Sequence, residues 1–195
     1  MKVASIVEGD GEVAALPILL RRLCAWRTPE VYVDVQTPIR VRRDRFLNRE
    51  EEFERYLHLA AAKSGDDGWI LVLLDADDDC PVELGNSIAM RASEHVPHRP
   101  VAVVIANREF EAWFIASADS LSGFRGFAHE GGHLDPERLR DAKGWIRARM
   151  AGGTYGETTD QPAFATHMSL EQAEKGSRSF RKLCSEWDRK VKGLS

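Results

Sequence analysis

Four runs of aliphatic and β-branched residues recur along the chain and predict four β-strands, at residues 3–7, 31–35, 69–74 and 101–105. The third and fourth runs are continuously apolar without alternation, which is typical of strands that are covered on both faces of a parallel sheet. Helical periodicities lie between the runs. The order of strands and helices therefore predicts an open, mainly parallel α/β sheet with right-handed crossovers.

The helices between the strands are predicted from the spacing of their apolar residues. Four leucines between residues 16 and 23 follow the i, i+3, i+4, i+7 spacing of one helix face, and residues 46–61 show a second amphipathic pattern. Because proline fits only the opening turn of a helix, Pro17 predicts a late start or a kink in the first of these helices.

After residue 105 the pattern changes from strands to helices and loops. Three helices are predicted there, at residues 107–118, at 135–150 after an Asp-Pro helix start, and at 177–191. They are separated by loop-like segments at 123–132 and 152–162. Since no Pro/Ser-rich linker intervenes, we expect a single domain with a core at 1–118 and a helical appendage at 119–195.

The composition of the 195 residues is that of a folded chain with a core, with 43% hydrophobic and 30% charged residues. The net charge of −4 argues against a generally basic nucleic-acid-binding surface, although it leaves room for a local one. Residues 1–135 contain fifteen Lys/Arg and twenty-three Asp/Glu, whereas residues 136–195 contain twelve and eight. The acidic excess of the first two-thirds of the chain therefore needs a chemical explanation.

Membrane and secretory features are absent from the pattern. The longest apolar runs are far shorter than the ~20 residues of a membrane span, and Glu8 and Asp10 interrupt the N-terminus before a signal-peptide apolar region develops. Cys24, Cys80 and Cys184 are odd in number and widely spaced, which gives no disulfide framework. We expect no membrane contact and a reducing cytoplasm; the oligomeric state is left open.

Acidic residues directly follow the first and third predicted strands, at the strand ends where open α/β sheets place their sites. Glu8 and Glu12 flank two glycines after the first strand, and the third is followed by Asp75-Ala76-Asp77-Asp78-Asp79. Asp75 and Asp77 would project to the same side of an extended backbone. Carboxylates in one crevice repel one another unless a cation lies among them, and all-oxygen sites suit Mg²⁺. The pattern predicts a divalent-metal site, with a solvated acidic turn as the alternative.

These residues carry a resemblance to a known fold. Val-Glu-Gly-x-Gly-Glu after the first strand, with hydrophobic-Asp-x-Asp after the third, resembles the Toprim fold of topoisomerases, primases, small ribonucleases and the overcoming-lysogenization-defect (OLD) nucleases. More narrowly, five segments of the chain resemble a prokaryotic family of Toprim-like proteins with a domain of unknown function. They are IVEGDGEVAALPILLRRL, LVLLDADDDCP, VIANREFEAWFIA, RDAKGW and DQPAF. The resemblance spans nearly the whole chain and implies a Toprim-like open sheet of four strands with flanking helices.

The resemblance also implies roles for individual residues. Glu8 matches the general acid/base or metal ligand of the first strand, and Asp75 and Asp77 match the pair that ligates Mg²⁺ or Mn²⁺. Glu12 matches a further glutamate of the OLD-like pattern, which favours a nuclease over a topoisomerase. Asp79 is assigned to the same metal site.

Two further groups of residues are weighed for metal chemistry. Glu109 and Glu111 follow the fourth strand, and on a helix they cannot both face the crevice. Glu109, nearer the strand end, is the expected metal ligand, and a helix with both acids in solvent is the alternative. The string at 129–133, His-Glu-Gly-Gly-His, fits the H-E-x-x-H zinc pattern, but its two glycines oppose the helix that this chemistry needs. A glycine-rich loop is expected there.

Basic residues cluster in two places. Arg40, Arg42, Arg43 and Arg45 follow the second strand, and a second group lies in the C-terminal helices, where a solvated face is the default interpretation. Lys143 is expected to stabilise the charge of a transition-state phosphate. A nucleic-acid-binding stripe is predicted at Arg147, Arg178, Arg181 and Lys182.

Two functions from different classes follow as hypotheses. The first is a Mg²⁺-dependent phosphodiesterase, a nuclease acting on DNA or RNA, in which Glu8 positions or deprotonates the attacking water. The second is a non-catalytic interaction subunit of a separate ATPase, because the chain has no Walker motif, with a docking surface that includes Phe180 and Trp187. Phosphoryl transfer by Asp75 as a nucleophile is a third alternative, opposed by Asp79, which stands where that pattern has threonine.

Overall fold

The structure, a computed structural model, describes residues 1–132 and 134–193. At its centre lies a parallel sheet whose strands are β1 Lys2–Val7, β2 Asp34–Val35, β3 Ile39–Arg40, β4 Trp69–Asp75 and β5 Val101–Ala106. The strand order is β2-β1-β4-β5, with β3 also paired to β1. The predicted open parallel α/β fold is therefore confirmed.

The helices surround this sheet and continue beyond it. Those between the strands are α1 Asp10–Arg27, α2 Arg43–Asn48, α3 Glu50–Ser64 and α4 Pro81–His95. After the last strand come α5 Ala112–Ala116, α6 Ala118–Leu121, α7 Ala142–Arg147, α8 Asp160–His167, α9 Leu170–Gly176 and α10 Arg178–Lys192. Short 3₁₀ turns lie at Phe124–Gly126 and Pro136–Arg138. Among the described residues, no helix is long and apolar enough to cross a membrane.

Both faces of the sheet are covered by helices, and successive strand residues alternate between the two cores. Leu71 and Val104 pack in the core that α1, α5 and the C-terminal helices form on one face. Val72 and Ile6 pack in the core that α2, α3 and α4 form on the other face. Because each side chain of a central strand meets one of these cores, the strand sequences are apolar without alternation.

The edge of the sheet beside β1 differs from the prediction. Of the predicted strand at 31–35, only Asp34–Val35 pairs, and it lies beside the beginning of β1. A further short strand, Ile39–Arg40, pairs beside the end of β1. The sheet therefore has five strands instead of four, and Arg40 comes to lie next to the carboxyl end of β1.

The helices depart from the prediction at their ends. The late start predicted for the first helix is wrong, since α1 begins at Asp10 with Pro17 inside it, and its leucines are buried in the core. The predicted helix at 107–118 begins only at Ala112, because Arg108 has a left-handed backbone with φ 67°. The predicted helix at 135–150 divides into a 3₁₀ turn and α7, because Leu139 is extended.

The segments after β5 pack against the sheet and its first helix. Helix α8, which begins inside a segment predicted as loop, lies on α1, and α10 lies on β5. The indole of Trp187 meets that of Trp69 edge-on at 5.9 Å and donates a hydrogen bond to Thr28 Oγ1 at 3.0 Å. These contacts dock α8 on α1 and α10 on the sheet.

Candidate active site

The carboxyl ends of two neighbouring strands bring Glu8 and Asp75 together. Glu8 follows β1 directly, and Asp75 is the last residue of β4, which pairs with β1. The backbone N–H of Asp75 donates to Glu8 Oε1 at 3.0 Å. The Asp75 side chain is buried, with 8% of its surface exposed. Two carboxylates thus meet at one edge of the sheet, as the sequence predicted from the strand ends.

Glu12 joins this edge from the first turn of α1, where it is buried. A Cβ on Gly9 would collide with the Glu12 carboxylate, and a Cβ on Gly11 would collide with the side-chain amide of Gln161 on α8. Because Gly9 and Gly11 have no Cβ, the Glu12 carboxylate can lie against Gly9, and α8 can approach Gly11 closely. A negative charge in the first turn of a helix is also favoured by the helix dipole.

Glu111 is the member of the site that the sequence analysis did not select. Its side chain is fully buried, Tyr155 donates to its Oε1 at 3.3 Å, and its Oε2 is buried with no hydrogen-bond partner. Lys143 lies close enough for its charge to act on both Glu111 and Asp75, and its ammonium pairs with Glu157 at 3.3 Å. A buried, unsatisfied carboxylate oxygen is costly unless a ligand completes it.

The raised pKa values of the site show that its carboxyl groups lie close together and are shielded from water. Burial raises the pKa of Asp75 well above its ordinary value, and the charges of Glu8, Glu12 and Glu111 raise it further. Burial also raises the pKa of Glu8, against the hydrogen bond from Asp75, with a further upward contribution from Glu12. In the absence of a cation, these carboxyl groups therefore resist ionisation.

The pKa values of Glu111, Lys143 and Tyr155 are all raised, for different reasons. Burial raises the pKa of Glu111 to about 8, although the Lys143 charge opposes the shift. Burial alone would lower the pKa of Lys143, but the charges of Glu111, Glu157 and Asp75 outweigh it and raise the pKa. Burial and the Glu111 charge raise the pKa of Tyr155, which keeps its hydroxyl a donor at neutral pH. Groups with perturbed pKa values that are gathered in one place are typical of active sites.

The donor set fits a hard divalent cation in its chemistry and charge. Glu8, Glu12, Asp75 and Glu111 offer only carboxylate oxygens, and one of these oxygens is buried without a partner. Within 1–132 and 134–193, no three His, Cys, Asp or Glu side chains form a group that could hold a metal as they stand. Coordination by three of these carboxylates would therefore require side chains to rotate within the site.

Asp77 and Asp79 lie at the rim of the site instead of in its buried part. The strand ends at Asp75, and Asp77 has a left-handed backbone with φ 50°, so the extended geometry expected for the pair is wrong. Both carboxylates are exposed and pair with Arg43, at 3.7 Å for Asp77 and 2.6 Å for Asp79. The Asp77 charge still contributes to the raised pKa of Glu8.

Both oxygens of the Glu109 carboxylate are engaged by the backbone. Its two oxygens accept hydrogen bonds from the backbone N–H groups of Ala142 and Lys143, both at 3.2 Å, so it caps the beginning of α7. The preference for Glu109 over Glu111 assumed a helix through both residues, and the turn at 107–111 removes that assumption. Glu109 therefore positions Lys143, while Glu111 enters the buried cluster.

The predicted C-terminal basic stripe is exposed but partly bound to the protein itself. Arg147 and Arg178 are exposed, whereas Arg181 donates to the backbone carbonyls of Glu174 and Lys175. Lys182 forms an ion pair with Glu186 at 2.6 Å.

The prediction that Phe180 and Trp187 contribute to a docking surface is wrong. Phe180 and Trp187 are both fully buried, because they form the apolar face of α10 that packs on the sheet. The histidine string at 129–133 behaves as expected where it is described, since 128–132 form neither helix nor strand. His129 pairs with Asp119 at 3.4 Å, and His133 lies outside the described residues.

Replacing Asp75 by Asn is expected to raise the melting temperature of the metal-free protein at pH 7 by about 3 °C or more. An aspartate whose folded pKa is raised destabilises the fold above the unfolded pKa, near 3.8, and the penalty grows as the pH approaches the folded pKa. The gain should therefore vanish near pH 3.5, which thermal unfolding in EDTA across ~pH 3.5 to 8 would measure.

Asp77→Asn is the matched control for this change, because Asp77 is exposed and asparagine tolerates a left-handed backbone. We expect its melting temperature to stay at the wild-type value. A lower melting temperature for Asp75→Asn would instead assign Asp75 a structural role.

The comparison with protein families agrees with the narrower resemblance. A family model described as "Domain of unknown function (DUF4276)" matches residues 7–187. No curated protein matches the chain. A solved structure similar to this chain is the C-terminal region of the Burkholderia pseudomallei OLD protein, with 15% sequence identity, a TM-score of 0.40, and coverage of 99% of this chain and 98% of that chain.

Proposed function

We propose that this chain, which belongs to the DUF4276 family, is a Mg²⁺- or Mn²⁺-dependent phosphodiesterase that cleaves nucleic acid. The observation that carries the proposal is the gathering of half-buried Glu8 with buried Glu12, Asp75 and Glu111 near Lys143. Carboxylates that lie close together, one of them with an oxygen that has no hydrogen-bond partner, would be stabilised by a bound cation. The nearby Lys143 ammonium would stabilise the negative charge of a phosphate.

The residues of the crevice divide into ligands, a base and positioning groups. Asp75, Glu12 and Glu111 would hold the metal, which would polarise a phosphate and lower the pKa of a bound water. Glu8 Oε1 is engaged by the Asp75 N–H, so its Oε2 is the oxygen that would accept a proton from the attacking water. The raised pKa of Glu8 suits a proton acceptor that works near neutral pH.

Two further groups position this machinery. The Lys143 ammonium, held near the crevice by Glu157 and by the cap that Glu109 provides, would bind a non-bridging phosphate oxygen. The Tyr155 hydroxyl donates to Glu111 Oε1 and leaves Oε2 without a partner, so Oε2 would be the oxygen that ligates the metal. A base, a cation site and a positive charge together can promote attack of water on a phosphodiester, and no nucleophilic side chain is then required.

Calorimetric titration of Mg²⁺ and of Mn²⁺ into EDTA-treated, dialysed protein tests the metal site directly. We expect heat of binding for the wild type and a loss of affinity of at least about tenfold in Glu111→Gln and in Asp75→Asn, because each change removes a carboxylate ligand. Glu111 distinguishes this site from the Glu109 assignment, since Glu109 caps α7 instead of entering the buried carboxylate cluster.

Asp44→Asn serves as the control for the titration. Asp44 is exposed on α2, and its carboxylate accepts a hydrogen bond from Asn48 at 2.8 Å. Its variant should bind both ions as the wild type does. Absence of binding in the wild type, or equal affinity in Glu111→Gln, would contradict the proposed site.

A further inference from the structure

Beside the acidic crevice, the edge of the sheet carries a cavity of 410 Å³, which we call the arginine pocket. It lies where β3, α2 and α3 meet, and Arg40, Arg42, Arg45 and Arg55 line it together with Glu52 and Tyr56. Four arginines against one glutamate make this pocket positive on a chain whose net charge is −4. A concave surface of one charge concentrates the field that attracts an anion.

Much of this positive charge is not neutralised by the protein. Among residues 1–132 and 134–193, Arg42 and Arg55 form no ion pair. The guanidinium of Arg55 stacks over the Tyr56 ring at 4.6 Å. Arg45 reaches Glu52 only at 3.9 Å, and Glu52 is shared with Arg49. The guanidinium groups of the pocket therefore have hydrogen-bond donors available to a ligand.

The arginine pocket adjoins the acidic crevice through Arg40. The Arg40 Nε donates to the backbone carbonyl of Glu8 at 3.2 Å and pairs with Asp10 at 3.1 Å. The neighbouring Arg43 donates to the backbone carbonyl of Asp75 at 3.2 Å. A flexible polyanion that leaves the pocket past Arg40 and Arg43 would therefore come close to Glu8 and Asp75.

We propose that the arginine pocket binds the phosphodiester backbone of a single nucleic-acid strand, next to the phosphate that lies in the crevice. This deepens the proposed function and rests on it for the choice of polymer. Four guanidiniums exceed what one phosphate can bind in bidentate fashion, so consecutive phosphates fit the pocket better than a mononucleotide does. A single strand bends into a concave pocket, whereas a duplex is stiff over about 150 base pairs.

The test is fluorescence anisotropy with a fluorescein-labelled 20-nucleotide single-stranded DNA, in EDTA so that no cleavage occurs. We expect the double variant Arg42→Ala/Arg55→Ala to weaken binding by about tenfold or more. Because each phosphate contact contributes about 0.7 to the slope of log K against log salt for a single strand, that slope should fall by about 1.4. Both side chains are exposed, so the melting temperature should not change.

The control variant Arg147→Ala/Arg178→Ala removes the same charge from the C-terminal stripe. It should change binding by less than about twofold at 0.15 M salt, where exposed charges beyond about 8 Å are screened. A loss in this control equal to that of the pocket variant would overturn the proposal, and so would no binding of the oligonucleotide by the wild type. Adenosine monophosphate that binds as tightly as the oligonucleotide would overturn the assignment to a strand.

The same variants separate the pocket from the phosphodiesterase function. Binding that depends on Arg42 and Arg55, without cleavage under Mg²⁺ or Mn²⁺, would support the pocket and overturn the hydrolytic function. Metal-dependent cleavage together with unchanged binding by Arg42→Ala/Arg55→Ala would overturn the pocket alone.

Discussion

Glu8→Gln is expected to lower metal-dependent cleavage of nucleic acid by about 10²- to 10⁴-fold, the range that a positioned general base contributes. Glutamine has the size of glutamate and keeps an oxygen that accepts from the Asp75 N–H, so the strand ends stay in place. The substitution removes the carboxylate that would take a proton from water. Gel assays of a labelled oligonucleotide with Mn²⁺, under single-turnover conditions, would measure the loss.

Two measurements separate a catalytic role of Glu8 from a structural one. Oligonucleotide binding in EDTA should remain at the wild-type level, because the positive surface at the arginine pocket is intact. Glu94→Gln, which removes the same charge from an exposed position on α4, should cleave at the wild-type rate. Undiminished cleavage by Glu8→Gln would refute the proposed base.

The central strands β4 and β5 could be predicted from the sequence because nearly every one of their side chains packs in an apolar core. Both faces of β4 and β5 are covered, so a run of apolar residues with no alternation leaves few other structures open. The edge strands β2 and β3 have two residues each, too few to carry any period, and only their pairing with β1 defines them.

The carboxylates that follow strands directly could be predicted for the same reason. Glu8 and Asp75 are fixed to the sheet by the chain itself, so their meeting follows from the strand order. Glu111, Tyr155 and Gln161 reach the site through irregular turns and through the packing of α8 on α1. The signals in the sequence were two of the segments that carry the family resemblance, VIANREFEAWFIA, which contains Glu111, and DQPAF, which contains Gln161. Long-range packing of this kind leaves no local pattern.

The basic residues show that the sequence alone does not tell which positive charges are paired within the folded chain. The C-terminal helices carry many Lys and Arg, but Arg181 donates to backbone carbonyls of α9, and Lys182 pairs with Glu186 of its own helix. In the sequence, Arg40, Arg42 and Arg45 are separated by other residues, and Arg55 follows ten residues later, on α3. The fold of β3, α2 and α3 gathers them into one pocket. Positive charge that remains unpaired in the folded chain is the better indicator of an anion site.

Glu137 ties the end of β5 to the beginning of α10, and it was not recognised from the sequence. Its Oε1 accepts from the Ser177 hydroxyl at 2.7 Å, the Ser179 N–H at 2.7 Å and the Ser179 hydroxyl at 2.8 Å, and its Oε2 accepts from Asn107. Burial alone would raise the pKa of Glu137, but these hydrogen bonds outweigh it and lower the pKa. The charged form is therefore a structural element of the fold.

Glu137→Ala is accordingly expected to destabilise the protein by about 3 kcal/mol, because it leaves several buried donors without an acceptor. At neutral pH the melting temperature should fall by about 6 to 12 °C. Glu137 contributes stability above the ordinary glutamate pKa of 4.5, and this is lost as the pH falls through the lowered folded pKa, so the variant and the wild type should converge in acid. Glu30→Ala, at an exposed position, should melt as the wild type does across the same range. An unchanged melting temperature for Glu137→Ala would show that α10 docks through its apolar face alone.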